Sequence, residues 1–157
     1  MIALLDNTVI SNFSFVQRPD LVQVALGDVA ATVQEAFAEY ITGVQLGRVP
    51  ACDWTWLPIL ELTSDEYAQY AGLATNLGAG EAACIACAVS RSLRLFTDDR
   101  DARRVALQLV IPISGTLGLL LRLMDLGILT LNQADALLTE MIKCGYRSPV
   151  ISLTELQ

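Results

Sequence analysis

Short apolar runs alternate with longer amphipathic stretches along the whole chain, and that alternation of period predicts strands and helices in turn. Ile2 to Leu5 is an apolar run that stops at Asp6 and predicts a first strand. Pro19-Asp20 opens a short helix that ends at Gly27, and Val29 to Ala31 predicts a second strand. A longer helix spans roughly Val33 to Leu46, with Gly47 as its left-handed cap. Trp54 to Leu62 reads as an extended segment, and Pro58 inside it restricts it to an edge or bulged strand. Thr63-Ser64-Asp65-Glu66 has the form of a capping box, a hydroxyl followed three residues later by Glu, and starts a helix to about Ala74.

The second half repeats the pattern. The alanine-rich run Glu81 to Arg91 predicts a helix, Leu93 to Thr97 a strand, and Asp98-Asp99 an acidic turn. Arg100 to Leu107 follows as a helix and Leu109 to Ser114 as a strand. Two last helices run over about Thr116 to Leu126 and Asn132 to Cys144, with Gly127 and Gly145 as caps. Alternating strands and helices predict a mostly parallel sheet covered by helices on both faces. The chain reads as one α/β domain over residues 1–148, followed by a short tail, 149–157, too small to be a domain.

Composition changes this picture in three places. Hydrophobic residues make up 54% of the chain, which raises the question of a membrane. The most apolar region, Leu107 to Leu129, is interrupted by Pro112, Gly115, Gly118, Arg122 and Asp125, so it reads as core elements and not as a span. The apolar start is too short for a secretory signal, and a cytoplasmic protein is expected. Cys52, Cys84, Cys87 and Cys144 fit free thiols in a reducing compartment; Cys84 and Cys87 form a CxxC, but on a helix and with no histidine anywhere to complete a zinc set. The net charge of −7 argues against a broadly basic nucleic-acid surface, although clustered carboxylates that hold cations contribute to the same count.

The acids that matter lie at junctions. Asp6 closes the first strand, Glu81 opens the alanine-rich helix, and Asp98, with Asp99 beside it, closes the strand that begins at Leu93. Ligands of open parallel sheets bind outside the carboxyl ends of the strands, so these positions are expected to converge around one acidic pocket. Oxygen ligands suit Mg²⁺ or Mn²⁺, and such ions can activate water against a phosphodiester without a histidine. Taken singly, each of these acids also has the ordinary role of a cap or turn former.

At these residues the sequence resembles the PIN-domain family, and within it small prokaryotic members similar to VapC toxins. Leu5-Asp6-Asn7-Thr8-Val9-Ile10-Ser11-Asn12 resembles the opening strand and acid, and Leu77-Gly78-Ala79-Gly80-Glu81-Ala82-Ala83-Cys84-Ile85-Ala86 a central LGxGEAxxIA motif. Leu95-Phe96-Thr97-Asp98-Asp99-Arg100-Asp101-Ala102-Arg103 and Ile113-Ser114-Gly115-Thr116-Leu117-Gly118 follow in the same order. The resemblance implies a three-layer α/β/α PIN-like domain and a metal-dependent endoribonuclease, with Mg²⁺ or Mn²⁺ as cofactor and Asp6, Glu81 and Asp98 as its acids. Asp99 would supply or assist at the last position, and a further acid would be either Glu35, by its spacing from Val29, or Glu39 one turn on. Thr8, Asn12 and Thr97 would hydrogen-bond water or phosphate. It also implies RNA as partner, an antitoxin protein if the chain is the toxin of a toxin–antitoxin pair, and a homodimer.

Arg100, Arg103 and Arg104 share one helix face directly after the acids and are candidates for phosphate contacts. Arg91 and Arg94 read as ordinary surface charges, and Trp54 and Trp56 as residues on one face of a strand, in the core or a dimer contact. The alternatives to the nuclease are a PIN-like module with a degenerate site that binds RNA or protein, and an interaction subunit whose apolar surplus marks an interface.

Overall fold

A computed structural model describes residues 1–157. Five parallel strands, β1 (Ala3–Leu5), β2 (Ala30–Val33), β3 (Ile59–Leu60), β4 (Arg94–Phe96) and β5 (Ile113–Ser114), lie in the order β3-β2-β1-β4-β5. The helices are α1 (Asn7–Phe15), α2 (Pro19–Leu26), α3 (Gln34–Gln45), α4 (Ser64–Leu73), α5 (Ala79–Arg91), α6 (Arg100–Gln108), α7 (Thr116–Asp125) and α8 (Leu131–Lys143). The chain is a three-layer α/β/α domain.

Alternation along the strands divides the core in two. Ala3 and Leu5 of β1, Ala30 of β2 and Phe96 of β4 face a cluster with Val9, Ile10 and Phe13 of α1, Leu21 of α2, Leu119 and Leu123 of α7 and Leu138 of α8. Leu4, Ala31, Val33 and Leu95 point the other way, to Ala36 of α3, Ala83, Cys84, Ile85 and Cys87 of α5 and Ala102 and Ala106 of α6. The small residues of α5 let it lie close to the sheet, so both CxxC thiols are buried core atoms. No helix is long and apolar enough to cross a membrane.

Three local expectations differ from the structure, and one helix stands where none was expected. The stretch after Asp6 forms α1, although Asn7, Thr8, Val9 and Ile10 have modest helix propensity; the Asp6 carboxylate caps it, accepting from Asn7 N–H at 2.7 Å, and three buried apolar side chains hold it to the sheet. Only Ile59–Leu60 of the segment from Trp54 pairs as strand, and Trp54 and Trp56 lie in a turn with ring centroids 5.6 Å apart instead of sharing a strand face. Of Leu109 to Ser114 only the last two residues are strand, because Val110 takes a left-handed conformation (φ 59°) that ends α6. Arg91 is not a free surface charge: its guanidinium makes two bonds, both of 2.9 Å, to Glu66, which is 1% exposed. After α8, Leu153–Leu156 forms a short 3₁₀ turn whose buried Leu153 is held by Asp135, with Leu153 N–H to Asp135 Oδ1 at 2.8 Å.

Candidate metal centre

The carboxyl edge of the sheet gathers the ends of β1 and β4 because these strands pair directly, Leu5 opposite Phe96, and Asp6 N–H continues the ladder to Phe96 O at 2.9 Å. Asp6 is completely buried. Its Oδ2 accepts from Thr97 Oγ1 at 2.7 Å and from Thr8 Oγ1 at 3.2 Å. The same two hydroxyls order the next residues, since Asp98 N–H donates to Thr8 Oγ1 (2.9 Å) and Asp99 N–H to Thr97 Oγ1 (3.1 Å). Burial outweighs these bonds, and the negative charge of Glu39 adds to it, so the Asp6 carboxyl is pushed up to about 6.

Glu81 lies in the first turn of α5, half-buried. Burial first, then the charges of Asp6, Glu39 and Asp99, push its carboxyl up to about 7. Those causes identify the neighbours, and Glu39 is among them. Its Oε1 accepts from Gly80 N–H at 2.7 Å, which ties α3 to the start of α5. The glycines of Leu77-Gly78-Ala79-Gly80 are explained by this approach. A side-chain carbon on Gly80 would lie 2.7 Å from Glu39 Oε2, and one on Gly78 would collide with Glu81 Oε2. Glu35 faces elsewhere: Tyr67 Oη of α4 donates to its Oε2 at 3.3 Å, outside the cluster. Of the two alternatives, Glu39 is the acid the fold brings to Asp6 and Glu81. One further helical turn carries it inward from the start of α3.

Asp98 and Asp99 both line the groove beside Thr8 and are turned to different partners. Asp98 is turned toward α1 and α7, where it accepts from Asn12 Nδ2 (2.9 Å), Thr116 N–H (2.9 Å) and Thr116 Oγ1. Burial raises its carboxyl, and those bonds and the Arg103 charge oppose the rise. Gly115 permits this packing, because a Cβ there would collide with Asp98 Oδ1 and stand 3.0 Å from Thr97 O. Asp99 caps α6, with Oδ1 accepting from Ala102 N–H at 2.8 Å, and its charge acts on Glu81. The acids whose charges act on one another are therefore Asp6, Glu39, Glu81 and Asp99, while Asp98 is bonded to Asn12 and Thr116.

The candidate phosphate-contacting residues divide in the same way. Asn12 and Thr97 are buried and spent on Asp98, Thr116 and Asp6. Arg103 is spent on the backbone, donating to Thr97 O at 2.8 Å and Ser114 O at 3.2 Å, and clamps the ends of β4 and β5. Thr8 and Arg100 border an open groove beside the acids together with Asn7, Tyr146 and Arg147. Arg104 is exposed and pairs with Asp101 at 3.3 Å. Tyr146 and Arg147 had no local signal, since only the packing of α8 on α1 brings residues so distant in sequence beside α6.

No group of three or more His, Cys, Asp and Glu side chains is drawn tightly enough here to hold an ion by direct contact alone. An oxygen-only donor set still fits a hard cation that keeps several of its waters and takes one or two carboxylates directly. Burial is the first cause of the raised Asp6 and Glu81 carboxyls, and the charges of neighbouring acids add to it.

A family sequence model described as a PIN domain matches residues 2–155. No curated protein matches the chain. Among solved structures, a chain in the crystal structure of VapBC2 from Rickettsia felis, bound to a DNA fragment from their promoter, is similar at a TM-score of 0.51 and 16% identity, over 73% of this chain and 98% of that one. That likeness is one of fold.

Proposed function

This chain belongs to the PIN-domain family, and on that footing we propose that it is a metal-dependent endoribonuclease that hydrolyses RNA phosphodiesters with Mg²⁺ or Mn²⁺. The observation that carries the reading is the convergence of Asp6, Glu39, Glu81 and Asp99 from four separate elements, with Asp6 at about 6 and Glu81 at about 7. Asp6, Glu39, Glu81 and Asp99 would hold the cation. Bound there, it would polarise the scissile phosphate and lower the pKa of water.

The protein's own groups do the rest. Thr97 and Thr8 fix the orientation of the Asp6 carboxylate, so little reorganisation is needed when charge develops on the phosphate. Glu81, half-buried at the start of α5, would be held ionised by the bound cation and add its charge to that of Asp6 in keeping the cation in place. Asp98, through Asn12 and Thr116, and Arg103, through Thr97 O and Ser114 O, hold the loop that presents Asp99. The toxin's place in a toxin–antitoxin pair, with an antitoxin as protein partner, and a homodimeric state belong to the same proposal; the fold shared with the VapBC2 chain supports the former.

A second reading, a PIN-like module that binds without cleaving, is favoured by the spread of the acids, no three of which meet at one point. Labelled RNA incubated with the purified chain and Mg²⁺, Mn²⁺ or a chelator separates the two. Metal-dependent cleavage that falls about 10²-fold or more in Asp6→Asn is expected. No cleavage with either metal, or an Asp6→Asn variant as active as the parent, would leave the binding module.

A further inference from the structure

The groove beside the acid centre has a far wall built by the turn after α8, and that turn is locked at both ends. Gly145 takes a left-handed conformation (φ 117°), its N–H reaches Ile142 O at 3.1 Å, and Tyr146 N–H reaches Met141 O at 3.0 Å. Ser148 Oγ then donates to Val150 O at 2.6 Å and accepts from Val150 N–H at 3.2 Å. Arg147 projects between the two locks, exposed and without an acidic partner within 4.0 Å.

The distribution of unspent cations sets this wall apart. Arg18 is paired with Asp20 and Arg91 with Glu66, Arg103 is bound to two carbonyls, and Arg122 donates to Ala25 O. Arg100 and Arg147 have no such partner, and both line the two adjoining hollows, one reaching α1 and the other Arg104 on α6. On the other flank of the acids, α3 and α4 present Glu35 and Asp65, which would repel a polyanion. In a chain of net charge −7, these two unpaired guanidiniums on adjoining hollows give a phosphodiester backbone a favourable approach at this wall.

We propose that the turn after α8 is the phosphate-gripping wall of a single-stranded RNA path, in which Arg147, with Arg100, holds backbone phosphates and leads the strand past Thr8 toward the acids. A single strand fits because the reacting phosphate must descend toward Asp6, which is completely buried, and a flexible backbone can bend into such a recess. RNA fits better than DNA because Asn7 on the α1 wall, whose Oδ1 accepts from Ser11, keeps its amide Nδ2 to donate to a 2′-OH. The strand's destination rests on the nuclease reading; its grip on the wall does not.

The test is fluorescence anisotropy of a short labelled single-stranded RNA in chelator, titrated over salt, with Arg147→Ala and, as control, Arg94→Ala. Arg94 is also exposed but begins β4, at the opposite edge of the sheet. Arg147→Ala should weaken binding about fivefold and reduce the salt slope by about 0.7. Arg94→Ala should bind as the parent does, the same sequence as DNA should bind more weakly, and all melts should be unchanged. Equal binding by Arg147→Ala and the parent, an equal loss in Arg94→Ala, or no preference for RNA overturns the proposal. Repeating the series with Mn²⁺ keeps the two readings apart. Cleavage by the parent with no binding defect in Arg147→Ala sinks the wall and leaves the nuclease, and a binding defect without any cleavage does the reverse.

Discussion

Raising the pH should destabilise the metal-free protein between about pH 4 and pH 6, and divalent metal should reverse that slope. Asp6 is the cause: its carboxyl stands at about 6 in the fold, against 3.8 when freely solvated. Below pH 3.8 both states hold the proton and nothing is lost. Between the two values the unfolded chain releases its proton first, so stability falls as pH rises and levels off above the folded value. For a completely buried group, a difference of this size corresponds to about 3 kcal/mol. A cation needs the ionised carboxylates, and at pH 5.5 both Asp6 and Glu81 are largely protonated whereas at pH 7.5 both are largely ionised. Apparent metal affinity should therefore drop about 10- to 100-fold between these conditions, the lower figure allowing for solvent screening of half-exposed Glu81. Thermal melts at both pH values, with chelator and with millimolar Mn²⁺, read both effects. Saturating metal at pH 7.5 should raise Tm by about 5–10 °C, with a much smaller rise at pH 5.5. A metal-free Tm that climbs steadily from pH 4.5 to 6.5, or a metal response equal at the two pH values, would refute the coupled acid centre.

Two further substitutions probe the supports of the site. Arg91→Ala strands the buried Glu66 carboxylate, which Arg91 holds down at about 2; urea unfolding should show a loss of about 1–3 kcal/mol, lessened because Arg91 itself is partly solvated. The parent's dependence on this pair is present above pH 4.5 and lost as pH falls toward 2, and a variant as acid-sensitive as the parent would show the pair to be idle. Asp98→Asn and Asp99→Asn should give opposite outcomes: the first costs about 1–3 kcal/mol by weakening the bonds to Thr116, while the second keeps its cap on α6 and instead removes the metal-induced rise in Tm.

The layering was legible because strand and helix periods differ, and because Asp6, Glu81 and the paired acids of Thr97-Asp98-Asp99 fall where strands end. What the pattern could not carry was direction. Adjacent acids on an extended loop point to opposite sides, so Asp98 and Asp99 are alike in sequence, and only the glycine at 115 and the hydroxyl of Thr116 decide which one turns inward. Glu35 and Glu39 are separated by one helical turn, and their difference lies in depth along α3, which depends on where β2 stops. That strand runs to Val33, beyond the expected end at Ala31. Helix α1 escaped notice because its β-branched and amide residues argue against a helix when packing on the sheet is unseen.

The central place of β1 has a consequence for the order in which the molecule can be made. Ala3 pairs with Ala30 on one side and with Arg94 on the other, both in parallel, so β1, made before β4, waits for a partner some ninety residues behind it. Until β4 arrives, one edge of β1 is open, a template for pairing with other chains, and Asp6 lacks the Thr97 hydroxyl that orients it. Such distant parallel pairing is slow to close. The acid centre thus cannot be assembled before β4 and the loop after it have been made, and whatever chemistry it performs is withheld from the nascent chain until then.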